Sequence, residues 1–344
     1  MDINPGSILV IQLRQIGDVL LTTPAAEVLK TNFPEARLDF LTEPPADQVL
    51  KGNPFIDNVL VYDRRSPLKW LLKVRAAKYS LVADFMSNPR SALLAWFSGA
   101  PVTAGPSHTA SAWAYNRKFV SETGTEPYAA FQKVDFLAGL GLKKVFYPYP
   151  RIYPAPEDEA WAGSALAGLA LKKKNTLAFS PASRRVTRQW PAEHYARLAA
   201  EAAGKLDVNV LLLWGPGEKA LAEKIAALSG SPDVKPAPET ATLRRLSALL
   251  KKTALLVSNC SGTKHVAQAS GVPTLGIYGS SRPENWTPPA DPDHQVVRNE
   301  TLACIGCRRN DCGIGVKCLR ELSPDAVFAK LVAMPAIKKM TGAA

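Results

Sequence analysis

Hydrophobic residues in the first half of the chain form short continuous runs that alternate with segments of helical spacing. The apolar runs are typical of strands buried on both faces, and they occupy residues 8–13, 37–43, 58–63 and 79–85. Helical spacing is found at residues 24–34 and 91–100. This alternation is that of βαβ units, so it predicts a parallel sheet covered by helices on both faces.

The second half repeats the theme. Strand patterns lie in 175–183, 208–218, 254–259 and 273–278, and helix patterns lie in 191–204 and 263–270. Between the halves, residues 145–159 carry four prolines and little periodicity, which favours an extended linker. The interpretation is an α/β protein with two Rossmann-like domains, 1–160 and 161–322, followed by a C-terminal helix and frayed tail, 323–344.

Composition agrees with a soluble two-domain protein. The chain has 344 residues, 47% hydrophobic and 21% charged, and domains average roughly 150 residues. No apolar run approaches the roughly 20 residues that span a bilayer, and the N-terminus lacks the basic start of a signal peptide. We therefore expect a cytoplasmic protein. The net charge of +12 favours anionic partners without choosing among them.

Candidate anion chemistry appears where an apolar strand runs into "SGTK". Ser261, Gly262 and Thr263 stand at the predicted start of a helix, where N–H groups are unpaired and carry partial positive charge. Gly262 allows close approach to the backbone, and Lys264 adds a full charge. The stretch is a candidate phosphate cradle. Simple N-capping by Ser261 explains it equally well.

Two further loops follow strands of the same half. "SRRVTRQWP" begins at Ser183 and brings Arg184, Arg185 and Arg188, whose guanidinium groups suit phosphate oxygens. "GPGE" places Glu218 after a turn that starts at Gly215, where a carboxylate can accept hydrogen bonds from ribose hydroxyls. An N-terminal helix residue is the alternative role for Glu218.

Together these three loops predict a nucleoside diphosphate site at one edge of a sheet. The patterns GxxxxGK[ST] and GxGxxG are absent from the chain. In the first half, Gly17 and Asp18 follow the first strand. A carboxylate there can serve as a general base, or it can cap the next helix.

The segments "ILVIQLRQIGDVLLTTPAAEVLKTNFPEARLDFL", "SRRVTRQWPAEHYARLA" and "SNCSGTKHVAQASGVPTLGIYGSSRPENW", in this order, resemble glycosyltransferase family nine, the lipopolysaccharide heptosyltransferases. The first is most similar to the heptosyltransferase III branch. The resemblance implies a GT-B fold, with two Rossmann-like domains facing each other across a cleft. It implies inverting transfer of heptose from ADP-L-glycero-D-manno-heptose to the lipopolysaccharide inner core, at the cytoplasmic face of the inner membrane, with no metal required for catalysis.

The resemblance also assigns roles. Asp18 matches the family's Gly-Asp carboxylate, the base for the acceptor hydroxyl, and Arg188 matches a basic residue on the leaving diphosphate. Glu218 matches an acidic residue near the ribose. The loop that holds the diphosphate corresponds to Ser261, Gly262, Thr263 and His265. The family usually has Asp where this chain has Cys260, which leaves open another nucleotide sugar, or a homologue that binds nucleotide or glycan without turnover.

Four cysteines form a compact group near the C-terminus: Cys304, Cys307, Cys312 and Cys318. Four thiolates can bind a structural zinc, and reduced cysteines in an irregular loop are the alternative. Residues 66–80 mix Trp and Leu with Lys and Arg, which suits either an anionic membrane surface or an ordinary covering helix. No nucleic-acid recognition motif accompanies the positive charge.

Overall fold

The computed structural model describes residues 4–119 and 127–342. The chain divides into two compact units, Met1–Tyr153 and Pro154–Ala344. The boundary predicted between residues 160 and 161 falls inside a helix, Pro156–Ala167, which begins within the predicted extended linker. Proline at the first helical position and the acidic first turn that follows explain this start.

The first unit is built on a six-stranded parallel sheet with the order β3-β2-β1-β4-β5-β6. Its strands are β1 Ser7–Ile11, β2 Arg37–Thr42, β3 Asn58–Val61, β4 Leu81–Asp84, β5 Val102–Pro106 and β6 Arg117–Phe119. Its helices are α1 Ile16–Leu20, α2 Thr23–Asn32, α3 Pro67–Ala76, α4 Pro89–Phe97 and α5 Ala129–Ala138. The strand order reverses between β1 and β4, the point at which open α/β sheets bind ligands.

The second unit repeats this order as β12-β11-β10-β7-β8-β9, again parallel throughout. Its strands are β7 Asn175–Ser180, β8 Val208–Leu212, β9 Val234–Pro236, β10 Leu255–Asn259, β11 Thr274–Tyr278 and β12 His294–Arg298. Its helices are α6 Pro156–Ala167, α7 Ala192–Leu206, α8 Lys219–Ser229, α9 Leu243–Leu250, α10 Gly262–Ala269, α11 Lys317–Arg320, α12 Pro324–Val332 and α13 Pro335–Thr341. Here the order reverses between β7 and β10.

The inner strands of each sheet are buried on both faces, as the continuous apolar runs predict. The residues of β1 from Ile8 to Ile11 are fully buried, and so are those of β10 from Leu255 to Val257. The core of the second unit extends to the C-terminal helices, where Met334 and Ile337 are buried. The expectation of a frayed tail is therefore wrong for α13, because its apolar face is needed to cover the core; residues 343–344 lie outside the described part. In the described ranges, no helix is long and apolar enough to cross a membrane.

Candidate functional site

Three loops meet at the carboxyl edge of the second sheet, and a single buried side chain joins two of them. The side-chain oxygen of Asn259, at the end of β10, accepts a hydrogen bond from the backbone N–H of Trp190 at 3.1 Å. Its amide nitrogen donates to the carbonyl of Pro181, just after β7, at 2.7 Å. Because β7 and β10 flank the point where the strand order reverses, these bonds fix the loops that border the predicted ligand site.

The third loop follows β11 and closes on the same edge. Ser280 donates through its backbone N–H to the carbonyl of Thr187 at 3.2 Å, and its hydroxyl bonds to the Thr187 hydroxyl at 3.1 Å. A Cβ at Gly279 would lie 2.9 Å from the Thr187 carbonyl oxygen, so only glycine permits this approach. Sequence reasoning missed this loop, since its only signal was the closeness of Gly279 and two serines to a strand end.

Helix α10 begins at the centre of this edge. Ser261 has extended backbone angles at the N-cap, and its side chain makes no capping hydrogen bond to the helix. Its hydroxyl lies 3.3 Å from that of Ser258 instead. The structure therefore does not support capping by the Ser261 side chain as the explanation of this stretch. Gly262 and Thr263 form the first turn, whose N–H groups and dipole favour an anion.

Lys264 and His265, predicted at the ligand, are both buried inside the second unit. The Lys264 ammonium donates to the Trp286 carbonyl at 2.6 Å and to the Gln268 side chain at 3.1 Å. Burial lowers the pKa of Lys264 to about 8 and lowers the pKa of His265 well below its ordinary value. The prediction that Lys264 adds a free charge at the surface is therefore wrong. Its ammonium donates to groups of the protein, because the first turn of α10 directs this side chain inward.

Arg188 ends the short 3₁₀ turn Val186–Arg188 that follows β7. Its Nε atom is buried and has no hydrogen-bond partner in the described part of the chain. The neighbouring Thr187 is held by Ser280, so the backbone at Arg188 is fixed. Arg184 and Arg185 are exposed, and the Ser183 hydroxyl accepts from the Arg185 N–H at 3.3 Å. A buried donor without a partner is costly, which marks Arg188 as a group that awaits an acceptor.

Glu218 closes the turn after β8. Its Oε2 atom accepts a hydrogen bond from the Gly215 N–H at 2.8 Å, and Glu218 stands at the N-cap of α8. A Cβ at Gly215 would lie 3.1 Å from that oxygen, so glycine leaves room for the carboxylate. Glu218 thus has the predicted structural role at the N-terminus of a helix. Its other carboxylate oxygen can accept a hydrogen bond from a ligand hydroxyl.

Cys260 is buried beside α10. Its influence favours the charged form of the Lys264 ammonium, against the larger effect of burial. Cys260 is therefore part of the interior beneath the first turn of α10.

In the first unit, Asp18 lies in α1, directly after the loop that leaves β1. Its Oδ2 atom accepts from the Gln15 N–H at 3.1 Å, and its carbonyl accepts from the Thr22 hydroxyl at 2.7 Å. Gly17 is buried, and its carbonyl accepts from the Leu21 N–H at 2.8 Å. Asp18 is partly exposed at the carboxyl edge of the sheet, so the capping contact coexists with an accessible carboxylate.

A buried lysine beneath this loop was missed by sequence reasoning. Lys133, on α5, donates to the side-chain oxygen of Gln12 at 2.7 Å. Burial lowers the pKa of Lys133 to about 8, while Asp18 and Asp84 favour its charged form. The signal was present in the sequence, because Lys133 lies on the same helical face as the buried Ala130, Val134 and Leu137.

A structural zinc at the four cysteines stays a prediction. Within residues 4–119 and 127–342, no set of three or more His, Cys, Asp or Glu side chains is arranged to hold a metal ion. Cys318 packs into the core, whereas Cys304 and Cys307 are exposed. Burial raises the pKa of the Cys318 thiol, and the three other cysteines act in the same direction. The sulfur of Cys312 accepts from the Val316 N–H at 3.2 Å.

Comparison with known proteins identifies the family. The model of glycosyltransferase family 9 (heptosyltransferase) matches residues 68–316. The chain belongs to glycosyltransferase family 9. This protein is thus a glycosyltransferase. The matched range contains the loops that follow β7, β10 and β11, whereas Asp18 lies before it.

Relatives and solved structures agree with this membership. A putative glycosyltransferase of Haemophilus influenzae is 26% identical over 84% of this chain and 88% of its own length. Lipopolysaccharide heptosyltransferase 3 of Escherichia coli is 27% identical over 80% of this chain and 84% of its own.

The crystal structure of a family 9 glycosyltransferase from Veillonella parvula superposes with a TM-score of 0.81, at 25% identity, over 100% of this chain and 99% of that one. The E. coli ADP-heptose lipopolysaccharide heptosyltransferase II gives a TM-score of 0.79 at 20% identity, over 97% and 99% of the two chains. The fold of this protein is therefore GT-B.

Proposed function

We propose that this glycosyltransferase moves a heptose from ADP-L-glycero-D-manno-heptose to a hydroxyl of the lipopolysaccharide inner core, with inversion at the anomeric carbon. The observation that carries the proposal is the meeting of three loops around the first turn of α10, with the buried, unpartnered Nε of Arg188 beside them. Such an arrangement suits a diphosphate. A curated relative named as a lipopolysaccharide heptosyltransferase supports the sugar and the acceptor.

The departing ADP gains negative charge as the glycosidic bond breaks, and this charge must meet fixed donors. Arg188 and the N–H groups at 261–263 supply them in the proposal, and the free oxygen of Glu218 accepts from the ribose. Ser183 lies in the loop that carries Arg188, and Gly215 lies in the turn that carries Glu218. No metal is required for this step in the proposal, because these groups already carry the positive charge that the leaving group needs.

Asp18 acts as the general base. Its partly exposed carboxylate takes the proton of the acceptor hydroxyl, and the hydroxyl oxygen then forms the new bond to the anomeric carbon while ADP leaves. The hydrogen bond from the Gln15 N–H fixes one carboxylate oxygen and leaves the other for the acceptor. Lys133 lies beneath and supports the loop through Gln12.

The acceptor places the enzyme at the cytoplasmic face of the inner membrane, where we propose peripheral contact; nucleic acid has no role in the proposal. The similarity of the first segment to heptosyltransferase III favours that branch. The second candidate function is a related transferase with another nucleotide sugar. Cys260 favours it, because a neutral thiol cannot replace the hydrogen bonds of the carboxylate that the family usually has there.

The test is ADP release from ADP-heptose with heptose-containing core acceptor, with donor binding measured separately by calorimetry. Asp18→Asn keeps the oxygen that accepts from Gln15, and we expect kcat to fall about 100-fold or more with donor affinity unchanged. Arg188→Ala should weaken donor binding by about tenfold or more, since a charge-assisted hydrogen bond is lost.

Two exposed residues provide matched controls: Glu35→Gln for the carboxylate and Arg197→Ala for the guanidinium. Both should behave as wild type. Donor binding without turnover on any core acceptor would overturn the transferase assignment in favour of a binding homologue. Binding of another nucleotide sugar in place of ADP-heptose would support the second candidate.

A further inference from the structure

One surface of the first unit combines exposed apolar side chains with a single sign of charge. Helices α3 and α4 pack side by side, and the 3₁₀ turn Ala112–Ala114 packs on α4. We call the following residues on these elements the aromatic–basic face: Leu68, Lys69, Leu72, Lys73, Trp96 and Trp113.

The apolar members of this face are unusually open to solvent. Leu68 is 65% exposed and Leu72 is 56% exposed, one turn apart on α3. Trp96 and Trp113 are 56% and 58% exposed. Their ring centroids lie 6.1 Å apart in an edge-to-face arrangement. A cavity of about 240 Å³ opens beside the two rings. Large exposed apolar side chains on elements that pack together mark an interaction surface.

Covering the sheet does not account for these side chains. Trp70 and Val74 on the inner face of α3 are buried and supply that function. Leu68 and Leu72 each lie two residues from Trp70 along the helix, which puts them on the opposite, exposed face. An outer face that only meets water would be served by polar residues.

The charge around the face is mostly positive, and Asp63, which pairs with Arg65 just before α3, is the acid near Lys69. Residues 64–119 contain nine Lys and Arg and one acidic residue, Asp84, which is fully buried. Arg64, Arg65 and Arg90 form ion pairs with acids outside this stretch, whereas Lys69 and Lys73 form no ion pair in the described structure. Lys73 is exposed, and its ammonium lies 4.5 Å from the centroid of the Trp70 ring.

We propose that the aromatic–basic face docks on an anionic phospholipid bilayer. Lysines alternating with leucines on one helix are characteristic of interfacial helices, whereas lysine is depleted in the centres of protein interfaces. Tryptophan prefers the headgroup level, so Trp96 and Trp113 add a second anchor beside the ten-residue α3. This deepens the peripheral contact of the proposed function and rests on it for its purpose, but its test does not depend on catalysis.

The test is co-sedimentation of the full chain with vesicles of phosphatidylcholine, alone or with about 30% phosphatidylglycerol. We expect binding to the anionic vesicles that weakens as salt rises, and little binding to neutral ones. Lys69→Gln with Lys73→Gln should weaken binding roughly 30-fold, about fivefold for each charge. The control pair Lys172→Gln with Lys174→Gln removes the same charge from exposed residues of the second unit and should bind as wild type.

The apolar contribution has its own pair of variants. Leu68→Ser with Leu72→Ser should weaken binding about tenfold or more, whereas Leu228→Ser with Ile314→Ser, also exposed, should not. Quenching of tryptophan emission by brominated lipid should fall when Trp96 and Trp113 are both changed to Phe. Thermal unfolding and ADP binding verify that each variant is folded.

Several results would overturn the inference. If the wild-type protein binds ADP but not anionic vesicles, the aromatic–basic face is not a membrane-docking surface, and the proposed function is unaffected. If the two double substitutions, at Lys69 and Lys73 and at Lys172 and Lys174, weaken vesicle binding equally, then net charge rather than this face governs binding. Binding of soluble core oligosaccharide, sensitive to Lys69 and Lys73, without vesicle binding would assign the face to the acceptor instead. Vesicle binding without turnover would reject the proposed function and keep the inference.

Discussion

The backbone N–H of Trp190 and the side-chain oxygen of Asn259 are joined by a hydrogen bond of 3.1 Å. Trp190 is fully buried and its ring nitrogen donates to the Leu322 carbonyl at 3.0 Å. The loop that carries Arg188 is thus tied on one side to the end of β10 and on the other to the segment before α12. Arg188 is held by its neighbours rather than by contacts of its own Nε.

Asn259→Ala should lower the free energy of unfolding by about 3 kcal/mol, because it leaves the Trp190 N–H and the Pro181 carbonyl buried without partners. ADP affinity should fall as well, since the loops on both sides of α10 lose their tie. Urea unfolding and calorimetry measure the two effects. Asn299→Ala, in an exposed loop, is the control and should change stability by less than about 0.5 kcal/mol. A loss below about 1 kcal/mol in Asn259→Ala would contradict the role given to this residue.

Glu218→Ala should weaken ADP binding about tenfold, the cost of losing a hydrogen bond to a charged acceptor. Binding of inorganic pyrophosphate should stay unchanged, because pyrophosphate has no ribose. Glu223→Ala removes an exposed carboxylate from the same helix and serves as the control. Equal weakening of ADP and pyrophosphate by Glu218→Ala would mean that the residue only shapes the Gly215 turn.

Lys133 should give the protein a pH-dependent stability. The folded chain releases this proton near pH 8, whereas the unfolded chain keeps it to about 10.5, so the unfolded state binds more protons in between. The contribution of Lys133 to the free energy of unfolding should therefore rise by roughly 1 kcal/mol per pH unit above about pH 8. Below that pH the contribution should not change with pH.

The measurement is urea unfolding of wild type and Lys133→Met between about pH 7 and 9.5, a window set by the two pKa values. The difference in unfolding free energy between them should show the slope. Lys264→Met should behave alike, because burial lowers that pKa to about 8 as well. Lys172→Met, at an exposed site, should show no slope. A flat difference for Lys133→Met would mean that water reaches this ammonium.

The cysteines should differ in their contributions to stability. Cys318→Ser places a hydroxyl in the core and should cost about 1–2 kcal/mol, whereas Cys304→Ser, at an exposed position, should be within about 0.5 kcal/mol of wild type. Chelator treatment should leave the melting temperature unchanged. One tightly bound metal per chain, with equal destabilisation by both substitutions, would support the zinc interpretation.

The sequence by itself determined four strands of each parallel sheet and two of the three loops that border the site, those after β7 and β10. Strands buried on both faces must be continuously apolar, so the runs at 8–13 and 254–259 identify β1 and β10 without reference to distant residues. The positions of Asp18, Arg188 and Ser261 after strand ends follow from the same pattern. The resemblance of the quoted motifs supplied the family, which the comparison confirmed.

Only the tertiary structure decided where individual polar side chains lie. A lysine at the start of a helix looks the same in sequence whether it meets a ligand or, as Lys264 does, the Trp286 carbonyl. Lys133 comes beneath Gln12 because α5 packs in the first unit far along the chain from β1. Cysteine spacing could not reveal that Cys318 packs into the core, since the direction of a side chain depends on the helices that cover it. Local pattern fixes the elements, while long-range packing fixes the partners of each polar atom.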